Sequence, residues 1–235
     1  NKLTFKLYNF GVATAAKSVK KSLGIKEKVS RKQIIDSVDN RKFIYTISPG
    51  LFKRPDYWKS QVKILGYHEL KGKKDTSITE WRPDAELMEF ISKNDKIVFV
   101  TFGSMPNTEP ERRTRIIMEV LERNKIPAII NTAAGGLQKP EKYNAELFYF
   151  VSQVSYDWFF PKMYAVIHHG GSGTTHLALR YACATMVIPH FIDQFVWDTI
   201  ISDLGVGPKG INVSKLTVKK LEPKVKVVEK VKVVK

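Results

Sequence analysis

The chain has 235 residues, 43% of them hydrophobic, enough for one full domain and part of another. Its net charge of +16 sits at the ends: residues 1–60 hold 14 Lys/Arg against 4 Asp/Glu and residues 209–235 hold 9 against 2, whereas residues 61–208 hold 16 against 17. The neutral middle carries the motifs, which argues against a nucleic-acid reader, whose basic patch belongs on the functional face; the basic ends suit solvated surface or peripheral contact with anionic lipid. No apolar run approaches the ~20 residues of a membrane-spanning helix. The opening NKLTFKLYNF lacks the basic start and apolar block of a signal peptide. A single cysteine, Cys183, excludes an internal disulfide framework and suits a reducing, cytoplasmic setting.

In chain order, residues 8–24 have mixed helical character ending at Gly24, and residues 31–37 read as a second helix. KFIYTI (42–47) predicts a short strand before the breaker Ser48-Pro49-Gly50, and VKILGY (62–67) another. Residues 68–94 are polar and read as a connector with one short helix over 85–92. From residue 96 a regular alternation begins: strands over 96–102, 127–132, 146–151, 165–168 and 185–189, and helices over 110–124, 174–181 and 193–204. KIVFVTF (96–102) is almost continuously apolar, as a parallel strand covered on both faces must be. The alternation predicts an α/β fold, a doubly wound Rossmann-like parallel sheet whose ligands bind outside the carboxyl ends of the strands. The Lys/Val tail over 221–235 suits either a helix opened by Pro223 or an edge strand.

The strongest chemical feature is HHGGSGTT (168–175), which follows an apolar strand and opens a helix. Glycines clear side chains from a ligand's path, and the helix start offers unpaired N–H groups with a partial positive charge. Ser172, Thr174 and Thr175 add hydroxyls, and a histidine can donate to a phosphate oxygen. The expected ligand group is a phosphate or diphosphate. A dinucleotide GxGxxG would need glycine where His176 stands, and a Walker loop would need GK[ST]. A tight turn for helix–strand packing is the competing reading of an isolated GGSG.

PHFIDQFVWD (189–198) follows the next strand and so lies at the same sheet edge. Asp193 beside Gln194 suits a ligand with adjacent hydroxyls, such as a sugar, while Asp193 equally suits the N-cap of the helix that starts there. FGSMPNTEP (102–110), after the first strand of the alternation, places Gly103 and Ser104 at that edge as well. A metal held by His168, His169, His190 and Asp193 is disfavoured, because adjacent histidines on a strand point to opposite faces.

VTFGSM (100–105), VSQVSYDWFFP (151–161), VIHHGGSGTTHLALRYA (166–182) and IPHFIDQFVWD (188–198), in this order and spacing, resemble the donor domain of UDP-dependent GT-B glycosyltransferases. The branch is that of the sterol 3β-glucosyltransferases and antibiotic glycosyltransferases, whose pattern runs FGSM, QVPHDWLFP, HHGGAGTT, PFFGDQPFW and LGVGP; residues 204–208 here are LGVGP itself. The likeness is dense over residues 96–217 and loose over 40–95.

The resemblance implies an inverting, metal-independent hexosyltransferase acting on a UDP-sugar donor and a hydroxyl-bearing lipophilic acceptor, with no cofactor. Residues 1–68 would be the last part of an acceptor domain, 69–95 an interdomain linker and 96–235 the donor domain. His169 and the backbone of Gly171, Ser172, Gly173 and Thr174 would hold the diphosphate, with Gly103 and Ser104 approaching it; Gln153 and Val154 would meet the uracil, and Asp193 and Gln194 the hexose. His168 would support the loop, and Trp158 and Phe159 would pack rather than stack on the base. The catalytic base belongs to the acceptor domain, so none is assigned in this chain. Three departures stand out: Tyr156 replaces the family's histidine, Ile192 its glycine before the Asp-Gln pair, and His190 its first phenylalanine. Two further functions remain compatible: a donor-binding subunit paired with a separate acceptor-domain chain, and a nucleotide-sugar epimerase, which would need acid/base carboxylates beyond Asp193.

Overall fold

The chain divides into two units, Asn1–His68 and Glu69–Lys235. The computed structural model describes residues 11, 12, 14–16, 18–26, 30–68 and 81–231. In the first unit, α1 (Arg31–Asp39) opens with a reciprocal cap: Ser30 N–H donates to Gln33 Oε1 (2.7 Å) and Gln33 N–H to Ser30 Oγ (3.2 Å). Strands β1 (Phe43–Tyr45) and β2 (Val62–Ile64) pair in parallel. The connection between them is tied down by Arg54, whose guanidinium donates to the carbonyls of Pro55, Trp58, Lys59 and Val62. Trp58 stacks on Tyr45 at 4.8 Å between ring centroids.

The second unit begins, among its described residues, with α2 (Ala85–Ser92), capped by Asp84, whose carboxylate accepts from Leu87 N–H (2.7 Å). The sequence places this helix within a connector. The structure packs it against the sheet instead, because Leu87 and Phe90 are apolar at helical spacing and bury against Phe99, Ile129 and Phe159. The elements that follow are β3 (Val98–Thr101), α3 (Pro110–Arg123), β4 (Ala128–Asn131), β5 (Phe148–Val151), α4 (Tyr156–Phe159), β6 (Ala165–His168), α5 (Ser172–Arg180), β7 (Ala184–Val187), α6 (Gln194–Asp203) and α7 (Val218–Val228).

The five strands β3 to β7 form one all-parallel sheet in the order β5-β4-β3-β6-β7. Successive residues of β3 serve opposite faces. Val98 and Val100 join Ile117, Leu121, Leu221 and Val225 from α3 and α7, whereas Phe99 joins Leu87, Phe159 and Ala178 from α2, α4 and α5. Every residue of β3, β4, β6 and β7 is buried, which explains why each strand is apolar except for a single polar residue, Thr101, Asn131, His168 and Thr185 respectively. The chain leaves β3 toward β4 on one side and enters β6 on the other, so the switch point of the doubly wound sheet lies between β3 and β6.

The tail resolves as the helix α7, with Leu221, Val225 and Val228 buried at spacings of four and three. Pro223 lies inside this helix rather than at its first turn, and lacks the N–H that would reach Lys219. The apolar stripe packed on the sheet outweighs that loss. Among the described residues no helix is long and apolar enough to cross a membrane.

Candidate functional site

The ends of the three central strands share one row. Thr101 of β3 stands opposite Asn131 of β4 on one side and His168 of β6 on the other. All three are polar and buried. A buried polar group is costly unless it is hydrogen-bonded, and each of these finds the same partner, the backbone N–H two residues ahead. Thr101 Oγ1 accepts from Gly103 N–H (3.1 Å), Asn131 Oδ1 from Ala133 N–H (2.9 Å) and His168 Nδ1 from Gly170 N–H (3.0 Å). Each bond turns the chain at the strand's end and starts a loop in a fixed direction. None of this is visible in the sequence, because it depends on which strands lie side by side.

The β6–α5 loop carries the glycines. In α5 the first hydrogen bond runs from Thr175 N–H to Gly171 O (2.9 Å), which leaves the N–H groups of Ser172, Gly173 and Thr174 ahead of it. Gly171, Ser172 and Gly173 are half-buried rather than sealed, so this helix end can be reached. Thr175 spends its hydroxyl on Gly171 O (2.9 Å), and the His176 ring reaches back to Ser172 O (2.7 Å) while packing edge-on against Trp197. Both reinforce the helix start from within.

His169 lies between two glycines. A Cβ on Gly103 would come within 2.8 Å of His169 Cε1, and one on Gly171 within 2.4 Å of His169 Nε2. Gly103 also has φ +55°, the left-handed region that glycine enters without strain. The glycines therefore make room for the imidazole as much as for a ligand, and they join the β3 loop to the β6 loop through that ring. His169 Nδ1 is buried and has no hydrogen-bond partner. Burial pushes the His169 pKa down to about 4, helped by His190 and opposed by the Asp193 carboxylate and the nearby Thr101 carbonyl. Burial, with a smaller contribution from His169, lowers His168 further, to about 3. Both rings are neutral at pH 7; His168, whose Nδ1 accepts from Gly170, carries its proton on Nε2, which is buried without a partner.

The β7–α6 loop separates the two residues that the sequence pairs. Asp193 is exposed and makes no capping bond to α6, and its charge is felt by His169. The capping reading of Asp193 is thus replaced by a free carboxylate close to the imidazole. Gln194 is turned inward and 4% exposed: its Oε1 accepts from His190 N–H (2.7 Å) and Phe191 N–H (3.3 Å). The structure gives Gln194 the task of holding its own loop, where the sequence suggests a sugar contact. A two-residue reversal of direction at a helix start explains it, since neighbouring side chains there diverge. Ile192, at the family's glycine position, has φ +44° and is 77% exposed, so a β-branched residue occupies backbone space that suits glycine. The aromatic ring of Phe102 packs edge-on against His190 at 4.8 Å, and His190 Nδ1 bonds Ile188 O at 3.0 Å.

The remaining expected residues lie on the flanking loops. Ser104 is exposed in the β3 loop, and Gln153 and Val154 are exposed and half-buried between β5 and α4. Trp158 packs edge-on against Trp81 at 5.2 Å, and Phe159 is fully buried, so both serve packing. Tyr156 is the unexpected member: its hydroxyl shares a 2.9 Å hydrogen bond with Thr101 Oγ1 and lies within reach of Asn131. Among the described residues no group of three His, Cys, Asp or Glu is arranged to hold a metal ion.

Residues 148–232, from β5 to beyond the end of α7, match the family described as Erythromycin biosynthesis protein CIII-like, C-terminal domain. They include the glycine loop, His169 and Asp193. This segment is similar in sequence to that C-terminal domain. The chain around it is 39% identical over 178 residues to the sterol 3-beta-glucosyltransferase UGT80A2 of Arabidopsis thaliana, covering 76% of this chain and 27% of that protein. It is 31% identical over 193 residues to the sterol 3-beta-glucosyltransferase of Kluyveromyces lactis, covering 77% of this chain and 16% of that protein. The chain thus spans about a quarter or less of the length of these curated relatives. A crystal structure of the glycotransferase of kitacinnamycin shares the fold at a TM-score of 0.63 and 14% identity, over 85% of this chain and 49% of that one. The chain therefore has an α/β, parallel-sheet fold of GT-B type, as the motifs imply.

Proposed function

We propose that this chain supplies the nucleotide-sugar-binding half of an inverting glycosyltransferase, which moves a hexose from a UDP-sugar to a hydroxyl of a sterol, lipid or other small acceptor. The observation that carries the reading is the accessible start of α5, where three N–H groups lie beside a neutral imidazole whose Nδ1 has no hydrogen-bond partner and a free carboxylate. Amides at a helix start favour a diphosphate, and their attraction grows as charge builds on the leaving group. This electrostatic role requires neither metal nor cofactor. A neutral His169 adds one N–H to a phosphate oxygen without bringing a buried charge. Asp193 accepts from a hexose hydroxyl.

The base that deprotonates the acceptor lies, in this reading, outside the second unit. His168, His176 and His190 each use a ring nitrogen within the protein. Residues 1–68 are proposed as the end of the acceptor domain, and the basic terminal segments as the contact with anionic lipid at a cytoplasmic membrane face. The similarity to sterol 3-beta-glucosyltransferases supports a lipophilic alcohol as acceptor.

Calorimetry of UDP with the wild type and with His169→Ala tests the donor site. The expected result is a dissociation constant at least about tenfold higher in the variant, the loss of one hydrogen bond to a charged group, with an unchanged circular dichroism spectrum. Equal affinities would remove His169 from the site. Thermal shifts across UDP, dTDP and GDP, ranked by stabilisation of the folded state, test the choice of base.

A further inference from the structure

We infer that Tyr156 is a positioning residue that sets the place of the His169 ring through Thr101 and Gly103, and so links the base-binding end of the donor site to its diphosphate-binding end. The inference rests on the donor-site reading above for its functional meaning, and on geometry alone for its mechanics. Three contacts in series carry it. The Tyr156 hydroxyl meets Thr101 Oγ1 at 2.9 Å. The same Oγ1 takes the N–H of Gly103 at 3.1 Å. Gly103 in turn lies against the edge of the His169 ring, so closely that a Cβ there would stand 2.8 Å from Cε1.

Thr101 is fully buried at the end of the central strand, and its hydroxyl has one proton and two lone pairs for two partners. Without Tyr156, Thr101 Oγ1 would keep Gly103 but lose the contact that orients its own hydroxyl. Without the Thr101 hydroxyl, Gly103 N–H would be left unpaired and its loop free to rotate away from the imidazole. His169 Nδ1 has no hydrogen-bond partner, so the ring's position depends on the Thr101 carbonyl beside it and on the walls around it. The ring of Tyr156 packs edge-on against Phe99 and Phe160, which makes its hydroxyl separable from its packing. The tyrosine opens α4, directly after the segment of Gln153 and Val154. An arriving base that shifts this segment therefore acts on a series of two hydrogen bonds and one packing contact that ends at the His169 imidazole.

The test uses the full chain in two arms. In the ligand-free protein, histidine Cε1–H resonances are recorded by NMR, with the His169 signal identified by its absence in His169→Ala. Tyr156→Phe and Thr101→Val are expected to move the His169 signal and to leave that of His176 in place; Thr101→Ser, which restores the hydroxyl, is expected to return it. A His169 signal unmoved by both variants would overturn the inference. In the second arm UDP affinity is measured in a double-mutant cycle. Tyr156→Phe is expected to weaken binding about five- to tenfold in the wild-type background and less than about twofold in His169→Ala, since coupled residues are not additive. Equal losses in both backgrounds would count against a route through His169. Failure of the wild type to bind UDP would sink the donor-site reading alone, and the ligand-free resonances would still decide the mechanics.

Discussion

The β6–α5 loop and the β7–α6 loop leave neighbouring strands at the same sheet edge, yet they distribute their polar groups in opposite ways. The β6 loop keeps its backbone donors outward: Ser172, Gly173 and Thr174 precede the first helical bond, while side chains such as Thr175 and His176 satisfy the inner carbonyls. The β7 loop keeps its backbone donors inward, with Gln194 absorbing the N–H groups of His190 and Phe191, and Asp193 is the charged side chain left outside, next to the exposed Phe191 and Ile192. A helix start can thus hold an anion with amides, or present a carboxylate to hydroxyl groups. The amides that Gln194 takes lie three and four residues before its own position, and the start of α6 is closed by backbone bonds from Gln194 N–H to Phe191 O and from Val196 N–H to Asp193 O. In the proposed reading the first loop takes a phosphate and its neighbour a sugar, from helix starts of different backbone conformation: extended at Gly171, helical at Asp193.

Acid is the largest lever against the first loop. His168 and His169 have folded pKa values of about 3 and about 4, both below the ordinary 6.5. The unfolded chain therefore binds more protons below pH 6.5, so stability is full above that value and falls as the pH drops toward 4 and then 3. Each histidine removes up to about 1.4 kcal/mol per pH unit in this window. Urea midpoints between pH 7 and 5 should fall steadily, and His169→Ala should make that fall shallower. A midpoint independent of pH would show that burial of these rings is not what sets their state.

Gln194→Ala attacks the second loop. It strands two backbone donors, and the expected cost is about 1–3 kcal/mol of stability by denaturant unfolding. A loss confined to sugar binding, with stability unchanged, would restore Gln194 to the role its sequence suggests. Asp193→Asn is the smallest change and the sharpest comparison. Stability should stay within about 0.5 kcal/mol, UDP affinity should hold, and the extra affinity of a UDP-hexose over UDP should drop by about five- to tenfold, as for a lost hydrogen bond to a charged group. Equal weakening of UDP and UDP-hexose would place Asp193 at the diphosphate.

Much of the sheet was legible because parallel strands buried on both faces are apolar along most of their length, as β3 and β6 are up to Thr101 and His168. The glycine loop was legible because strand, glycines and helix follow one another within a few residues. The α2 helix was misplaced into a connector because its two buried residues, Leu87 and Phe90, are embedded in a polar stretch, and only the sheet face shows what they cover. The tail could not be settled because alternating valine and lysine satisfies two periodicities; Leu221, Val225 and Val228 on the sheet select the helix and override Pro223.

The sequence alone determined the order of strands and helices from β3 to α6, the position of the glycine-rich turn and the presence of a carboxylate after the next strand, since each depends on residues adjacent in the chain. Only the tertiary structure decided that Thr101, Asn131 and His168 form one row, that Gly103 and Gly171 enclose His169, and that Gln194 faces inward while Asp193 does not. The physical reason is that these facts depend on strand order and register, which bring together residues up to 67 positions apart, from Thr101 to His168, through contacts that no local pattern encodes.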